Sequence, residues 1–435
     1  MTENNLANEI GRLSSAHHFR SASVEELVLE DDFFRRPLRS EDLEFLKFDC
    51  PVSESSFGRL ASLMANRVLL SINEAQEARL PRTRSVDLSD WDGFYSEESH
   101  RCGARITHAL ERFAFGFLGS DMAGEAPVFP SIYDEAKTFW MRRRRALDRA
   151  SYRAEGLALA LIQHVPLYES VIASERNLPS EIRVLLANPA LSATAKALTD
   201  ALRRSGYRTG RHSYWQFYLP GSLAMVNYLL CLGRSPGTLF QYVGARLVLE
   251  VERAALGRAL IDDIDAHYDS AETTMKAVHQ RMLVLFVERF GPQASARIEA
   301  GAVSMRRLLS LVRRGVLEQL TWLSDLSWPQ RAARQISERI ERECPGIDRD
   351  TFVEPREMCS TTHVHDEHRL VVVETGHMRF WGNVGMCHDM YPGDMILIPK
   401  GCLHGSTVVS ESCTYHQPII PDDWRDVIPA WKEHA

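Results

Sequence analysis

The stretch Thr362-His363-Val364-His365-Asp366-Glu367-His368-Arg369-Leu370-Val371-Val372-Val373-Glu374-Thr375-Gly376 decides how the C-terminal part of this chain folds. Pro392-Gly393-Asp394-Met395-Ile396-Leu397-Ile398-Pro399-Lys400-Gly401-Cys402-Leu403-His404 answers it. His363 and His365 are two residues apart, so on an extended backbone both imidazoles point to one face. Imidazole is the commonest protein ligand for borderline divalent metals. Leu370 to Val373 is a β-branched, apolar run that predicts a strand, and Gly376 marks the turn after it. Pro392-Gly393 predicts a turn and Met395 to Ile398 a buried strand. Pro399-Lys400-Gly401 predicts a further turn that delivers His404. Strand, turn, strand and turn with three converging histidines describe a small β-barrel that holds one metal in its mouth.

These residues resemble the cupin family. Its first motif runs His-x-His, then a Glu after three or four residues, then a Gly; its second runs Gly-x5-Pro-x-Gly-x2-His. His363, His365 and Gly376 fit the first, and Gly393, Pro399, Gly401 and His404 fit the second. Arg369, or Leu370 at the longer spacing, stands where the family has its glutamate, and Val408 stands where an Asn often follows. The resemblance therefore implies a ligand set of His363, His365 and His404, with open positions for substrate and dioxygen. Three-histidine cupins without the glutamate resemble non-haem iron oxygenases, which implies one Fe(2+) per barrel, another divalent metal being the alternative. His368 or Glu367 is a candidate fourth ligand. Arg369 and Tyr415 are the candidate catalytic residues, and Arg379, Trp381 and His416 are candidate lining. Arg369 either binds an anionic substrate group or pairs with Asp366 or Glu367 at the surface.

A chain of 435 residues predicts two or three domains. Apolar content of 45% with 25% charged residues is that of a globular protein. No basic segment followed by an apolar one opens the chain, so no signal peptide is expected. No run of about 18 apolar residues occurs, so no membrane span is expected. The eight cysteines are scattered without a Cys-x-x-Cys pair, which predicts a reducing cytoplasm rather than a disulfide framework. Residues 345–435 hold 14 Asp and Glu against 7 Lys and Arg, so the whole net charge of −7 falls there. An acidic barrel and a balanced remainder lack the basic footprint of a nucleic-acid binder.

Residues 1–50 predict an arm of short helices that packs on another subunit. Residues 53–80 predict a helix capped by Ser53 or Ser55, with Phe57, Leu60, Leu63, Met64, Val68 and Leu69 on one stripe. A second helix from Ser96 to Phe117 carries Glu97 and His100 one turn apart. That pair either holds iron in a helical bundle, with Glu74, Glu77 or Glu155 as partners, or complements the helix dipole at the surface. Gly119 to Pro130 predicts a linker. Arg142–Arg145 predicts a solvated helix face. Ser222–Leu232 and Thr238–Leu260 predict apolar helices, and Ala302–Leu323 and Trp328–Cys344 predict the last helices before the barrel. Glu250, on the second of these, either pairs with Arg246 or Arg253 or ligates a metal.

The segment from Tyr218-Leu219-Pro220 to Glu250, followed by His267, resembles the second half of haem-oxygenase-like di-iron oxidases. Such a bundle fused to a three-histidine cupin resembles the N-hydroxylating and N-nitrosating enzymes of the streptozotocin type. The fold implied is multidomain α+β. It comprises an N-terminal helical arm for dimerisation (1–119), a haem-oxygenase-like helical bundle (120–344) and a C-terminal cupin β-barrel (345–435). The activity implied is a mononuclear iron oxygenase acting on a small nitrogen-containing metabolite, through N-oxidation or N–N bond formation, in a cytoplasmic homodimer. The bundle departs from that pattern. No glutamate lies between Ile182 and Leu249, and Ala271 and Thr274 stand where the motif after His267 has Asp and His. The bundle's di-iron site is therefore expected to be incomplete, its helices serving as scaffold. The first motif also resembles the ligand domains of arabinose-type regulators, which place a helix-turn-helix pair after the barrel; about thirty residues after His404 leave no room for one. A metal-dependent binding or sensor cupin, and a non-redox cupin isomerase, are the alternatives.

Overall fold

The computed structural model describes residues 45–75, 97–119, 128–129, 131–147, 153–175, 178–187, 189–261, 265–324, 327–356, 358, 360, 362–383 and 386–424. Helix α1 (Leu60–Ala75) starts seven residues later than the serine signals predict. Ser53, Ser55 and Ser56 bond one another instead: the Ser53 N–H donates to Ser56 Oγ at 2.9 Å, and the Ser53 and Ser55 hydroxyls lie 3.0 Å apart. Short hydroxyl side chains compete with the helix ladder in this way. The group that receives the first free N–H of α1 is Asp366 of the barrel, at 3.1 Å from Leu60 N.

Helices α2 (Glu97–Phe115), α3 (Ile132–Leu147) and α4 (Arg153–Ile162) follow, then the short α5 (Tyr168–Ala173), α6 (Ser180–Leu186) and α7 (Pro189–Arg204). A 3-10 turn, Arg211–Phe217, leads into α8 (Pro220–Arg234), α9 (Leu239–Leu260), α10 (Asp265–Phe290), α11 (Pro292–Ser324) and α12 (Ser327–Glu343). Helix α9 is buried on all sides from Tyr242 to Gly257, so it is the axis of the body. It meets α11 backbone to backbone: a Cβ at Gly244 would strike the Ile298 carbonyl, and one at Gly301 the Gln241 carbonyl. Arg142 and Arg145 face solvent, but Arg144 donates to the Ala259 carbonyl at the end of α9, 3.2 Å away, so only part of that basic run is a solvated face. One apolar core runs from Leu46 to Leu320 and takes in Val364, Trp381 and Leu403 of the C-terminal part.

The C-terminal part is antiparallel β throughout. One sheet is ordered β1 (Thr351–Pro355), β7 (Ser412–His416), β2 (His368–Thr375), β5 (Met395–Ile398), with β8 (Ile419–Ile420) also on β2. The other is β4 (Met386–Met390), β3 (Met378–Asn383), β6 (Gly405–Val408). Alternation along β2 and β5 sends Val371, Val373, Ile396 and Ile398 inward, against Phe380, Tyr415 and Trp322 of α11. It sends Leu370 and Leu397 outward, where Ala333, Ile336 and Ile340 of α12 cover them. Gly376 makes the β2–β3 turn with φ +86°, and a Cβ there would meet the Ser412 carbonyl. The fold is thus α+β, a helical region followed by a cupin-like β domain. Among the described residues no helix is long and apolar enough to cross a membrane.

Candidate metal centre

His363 and His404 are paired residues of an antiparallel bridge. The His363 N–H donates to the His404 carbonyl at 2.9 Å, and the His404 N–H returns to the His363 carbonyl at 3.0 Å. Directly opposed residues present their side chains on one face. His365, two residues on, shares that face, and its carbonyl accepts the Gly401 N–H at 2.9 Å. The three rings form a near-equilateral triangle, with centroids 4.6, 4.7 and 4.8 Å apart. One nitrogen from each lies within 4.8 Å of the others. Among the described residues this is the one group of three or more His, Cys, Asp or Glu so placed.

His404 is fully determined. Its Nδ1 lies 3.0 Å from the Cys402 carbonyl, which makes Nδ1 the protonated nitrogen and leaves the Nε2 lone pair facing the other two rings. Phe380 stacks on the ring at 5.6 Å and Trp322 meets its edge at 6.5 Å. Nε2 of His404 and Nε2 of His365 are both buried without a hydrogen-bond partner. Burial, then the neighbouring imidazoles, hold His404 well below its ordinary pKa. Burial, then His363 and Arg369, push His365 down to about 3. These are neutral donors converging where no protein hydrogen reaches them, and a divalent cation satisfies such a set.

Arg369 lies on β2 with the parity of Val371 and Val373, so it enters at the mouth rather than facing α12. Its Nη1 donates to Asp350 Oδ2 at 2.7 Å and to the Gln417 carbonyl at 3.2 Å; Glu367 stands off at 3.9 Å. Its Nε is buried and without a hydrogen-bond partner. Tyr415 sits opposite Val373, four residues along β2 from Arg369 and so about 13 Å further down the barrel. It stacks on Phe352 at 5.2 Å, and burial followed by Glu354 raises its pKa. His368 turns outward and its Nδ1 accepts the Lys400 N–H at 3.2 Å, while Glu367 is exposed; neither joins the triad. Arg379 is paired with Asp389 at 2.9 Å, and His416 lies 2.8 Å from the Thr351 hydroxyl. Trp381 is buried against Gly405.

A cavity of about 170 Å³ opens beside His365. Lys400 and Asp366 of the barrel line one wall, and Arg59 just before α1 with Gly221, Arg314 and Glu318 of the helices line the other. Burial pushes the Glu318 carboxyl up, with Arg314 pulling it back. None of these helical residues carries a local sequence signal; only the packing brings them to the barrel.

Within the helical body, Glu250 takes the arginine partners that were one of its two readings. It is paired with Arg246 one turn back and with Arg253 at 3.5 Å, and Arg246 reaches Glu175 at 3.0 Å. Glu252 accepts from Trp140 Nε1 at 2.8 Å and from Arg313 Nε at 3.0 Å. The side chains of Glu97, His100 and His267 lie outside the described residues, as do those of Glu74, Glu77 and Glu155.

The family model of the AraC-like ligand binding domain matches residues 355–431, a span that contains all three histidines. Over 432 residues the chain is 27% identical to nitrosourea synthase of Streptomyces achromogenes subsp. streptozoticus, covering 90% of this chain and 91% of that one. The chain resembles the streptozotocin-type enzymes. Its likeness to nitrosourea synthase spans helices and barrel together, which supports an enzyme over a free-standing ligand-binding module.

Proposed function

We propose that His363, His365 and His404 hold a single Fe(II), and that the chain is a mononuclear non-haem iron oxygenase. Its substrate is a small nitrogen-containing metabolite, which it N-oxidises or joins through an N–N bond in specialised biosynthesis. The observation that carries this reading is the triangle of converging imidazoles, with His404 buried and the Nε2 atoms of His365 and His404 unsatisfied. When bound, such an iron supplies the dioxygen chemistry that no side chain provides. The residues do the rest. The Cys402 carbonyl holds the His404 proton on Nδ1, away from the site. Arg369 offers its buried Nε–H to an anionic group of the substrate. The cavity, walled by both signs of charge, admits a small polar molecule. The helical region acts as scaffold. Residues 1–44 lie outside the described residues; a homodimer through that arm, and a cytoplasmic location, belong to the same proposal.

A second reading has one observation behind it: the match to a ligand-binding family, which fits a metal-dependent binding barrel. A non-redox isomerase using zinc or manganese is the third. Oxygen uptake separates them. Anaerobically reconstituted Fe(II) protein should consume dioxygen with one of a panel of amines and guanidines, and His363→Ala should not. Turnover without oxygen uptake would establish the isomerase, and tight binding without turnover the binding barrel.

A further inference from the structure

We infer that the helical body is part of the metal centre: Gln216, Gln319 and Arg67 are positioning residues that set the spacing of the three histidines. The inference rests on the reading that those histidines hold a metal. Thr362, fully buried, immediately precedes His363. Its N–H and its hydroxyl both donate to Gln216 Oε1, at 2.9 and 2.6 Å, and its carbonyl accepts from Arg67 Nη1 at 2.7 Å. All three polar groups of that residue are thus satisfied from the helices.

Leu403 immediately precedes His404 and is held by a single side chain. Its N–H donates to Gln319 Oε1 at 2.8 Å, and its carbonyl accepts from Gln319 Nε2 at 2.7 Å. The same Nε2 donates to the Gly382 carbonyl on β3, at 2.8 Å. A buried amide bound fork-to-fork on one residue fixes both its position and its tilt. The residue after His365 completes the set: Asp366 caps α1 through the Leu60 N–H. Each histidine therefore has a chain neighbour tied to the helical body. The backbone-to-backbone bonds the barrel itself provides to them are the His363–His404 bridge and the Gly401–His365 bond. Metal sites tolerate only small displacements of their ligands, and outer partners commonly matter by 10–100-fold in affinity.

The test uses the full chain, metal-free and anaerobic, titrated with Co(II), whose visible spectrum reports ligand geometry. Gln319→Met, which keeps the volume and loses the fork, should bind Co(II) about 10–100-fold more weakly and with an altered spectrum. Gln319→Glu keeps an acceptor for the Leu403 N–H and loses both donations, so it should fall between; it carries the test if Gln319→Met does not fold. Asn227→Ala removes a buried amide bonded to Asn66 and Asn73 inside the helices. It should lower stability and leave the Co(II) affinity and spectrum unchanged. Hydrogen exchange of the 401–406 segment in metal-free protein is the second readout, faster in Gln319→Met and unaltered in Asn227→Ala. Wild-type affinity and spectrum in both Gln319 variants would overturn the inference, as would an equal loss in Asn227→Ala. If the wild type takes up no Co(II), the metal reading fails on its own. Raised exchange in Gln319→Met would then still show the clamp, and unchanged exchange would remove it.

Discussion

Removing the Glu252 carboxylate should destabilise the helical body more than almost any other single change. Glu252 is fully buried on α9, with Arg313 of α11 on both its oxygens and Trp140 of α3 on one. Burial alone would raise its pKa, but the Arg313 guanidinium outweighs that and holds it below the ordinary carboxylate range. Glu252→Leu strands the Arg313 charge, about 3–5 kcal/mol when a buried pair loses one partner. It also leaves the Trp140 N–H without an acceptor, a further loss of about 1 kcal/mol or more. Glu252→Leu/Arg313→Met removes the charge together with its partner, so only the indole remains unsatisfied and the loss should be about 1–3 kcal/mol. Urea denaturation followed by the helical circular dichroism signal measures all three proteins. A single variant within about 1 kcal/mol of wild type, or a double variant no more stable than Glu252→Leu, would refute the coupling.

Three further outcomes follow from other positions. Burial pushes His164 down to about 4, against an ordinary 6.5, and both its ring nitrogens lack partners. The fold therefore holds it neutral: its contribution is complete above pH 6.5 and is lost as the pH falls to 4, about 3 kcal/mol in all. His164→Phe should flatten the stability-against-pH curve over that window by the same amount. Gly376 and Gly393 have nearly the same positive φ, but only Gly376 lacks room for a Cβ. Melting should show Gly393→Ala losing about 1–2 kcal/mol and Gly376→Ala clearly more. Asp366→Ala should cost about 0.5–2 kcal/mol as a lost helix cap, with Asp366→Asn, which keeps an acceptor, recovering most of it in the same melts.

The triad was legible because its signals are local. A two-residue spacing puts His363 and His365 on one face, and a Pro-x-Gly turn brings His404 back beside them. The apolar runs at β2 and β5 and the helices α8 and α9 were legible for the same reason. The outer partners were not, because they are remote. Gln319 is 84 residues from Leu403, Gln216 is 146 from Thr362 and Arg67 is 295 from it. An isolated Gln on a helix has no pattern that announces a backbone clamp. The start of α1 was misplaced on the same grounds: the serines carry a cap signal, yet the acceptor is Asp366, 306 residues away. Arg369 drew notice because it stands where the family has its glutamate, but its main acidic partner is Asp350, just before β1, rather than Asp366 or Glu367. Glu250 had two readings in the sequence, and the arginines on its own helix supply the partners.

The most direct test of the central claim is the metal content of protein purified anaerobically and loaded with Fe(II), for the wild type and His404→Ala. The account predicts one tightly held iron per chain in the wild type and none in the variant. Zinc alone, no metal, or iron that survives His404→Ala would contradict it.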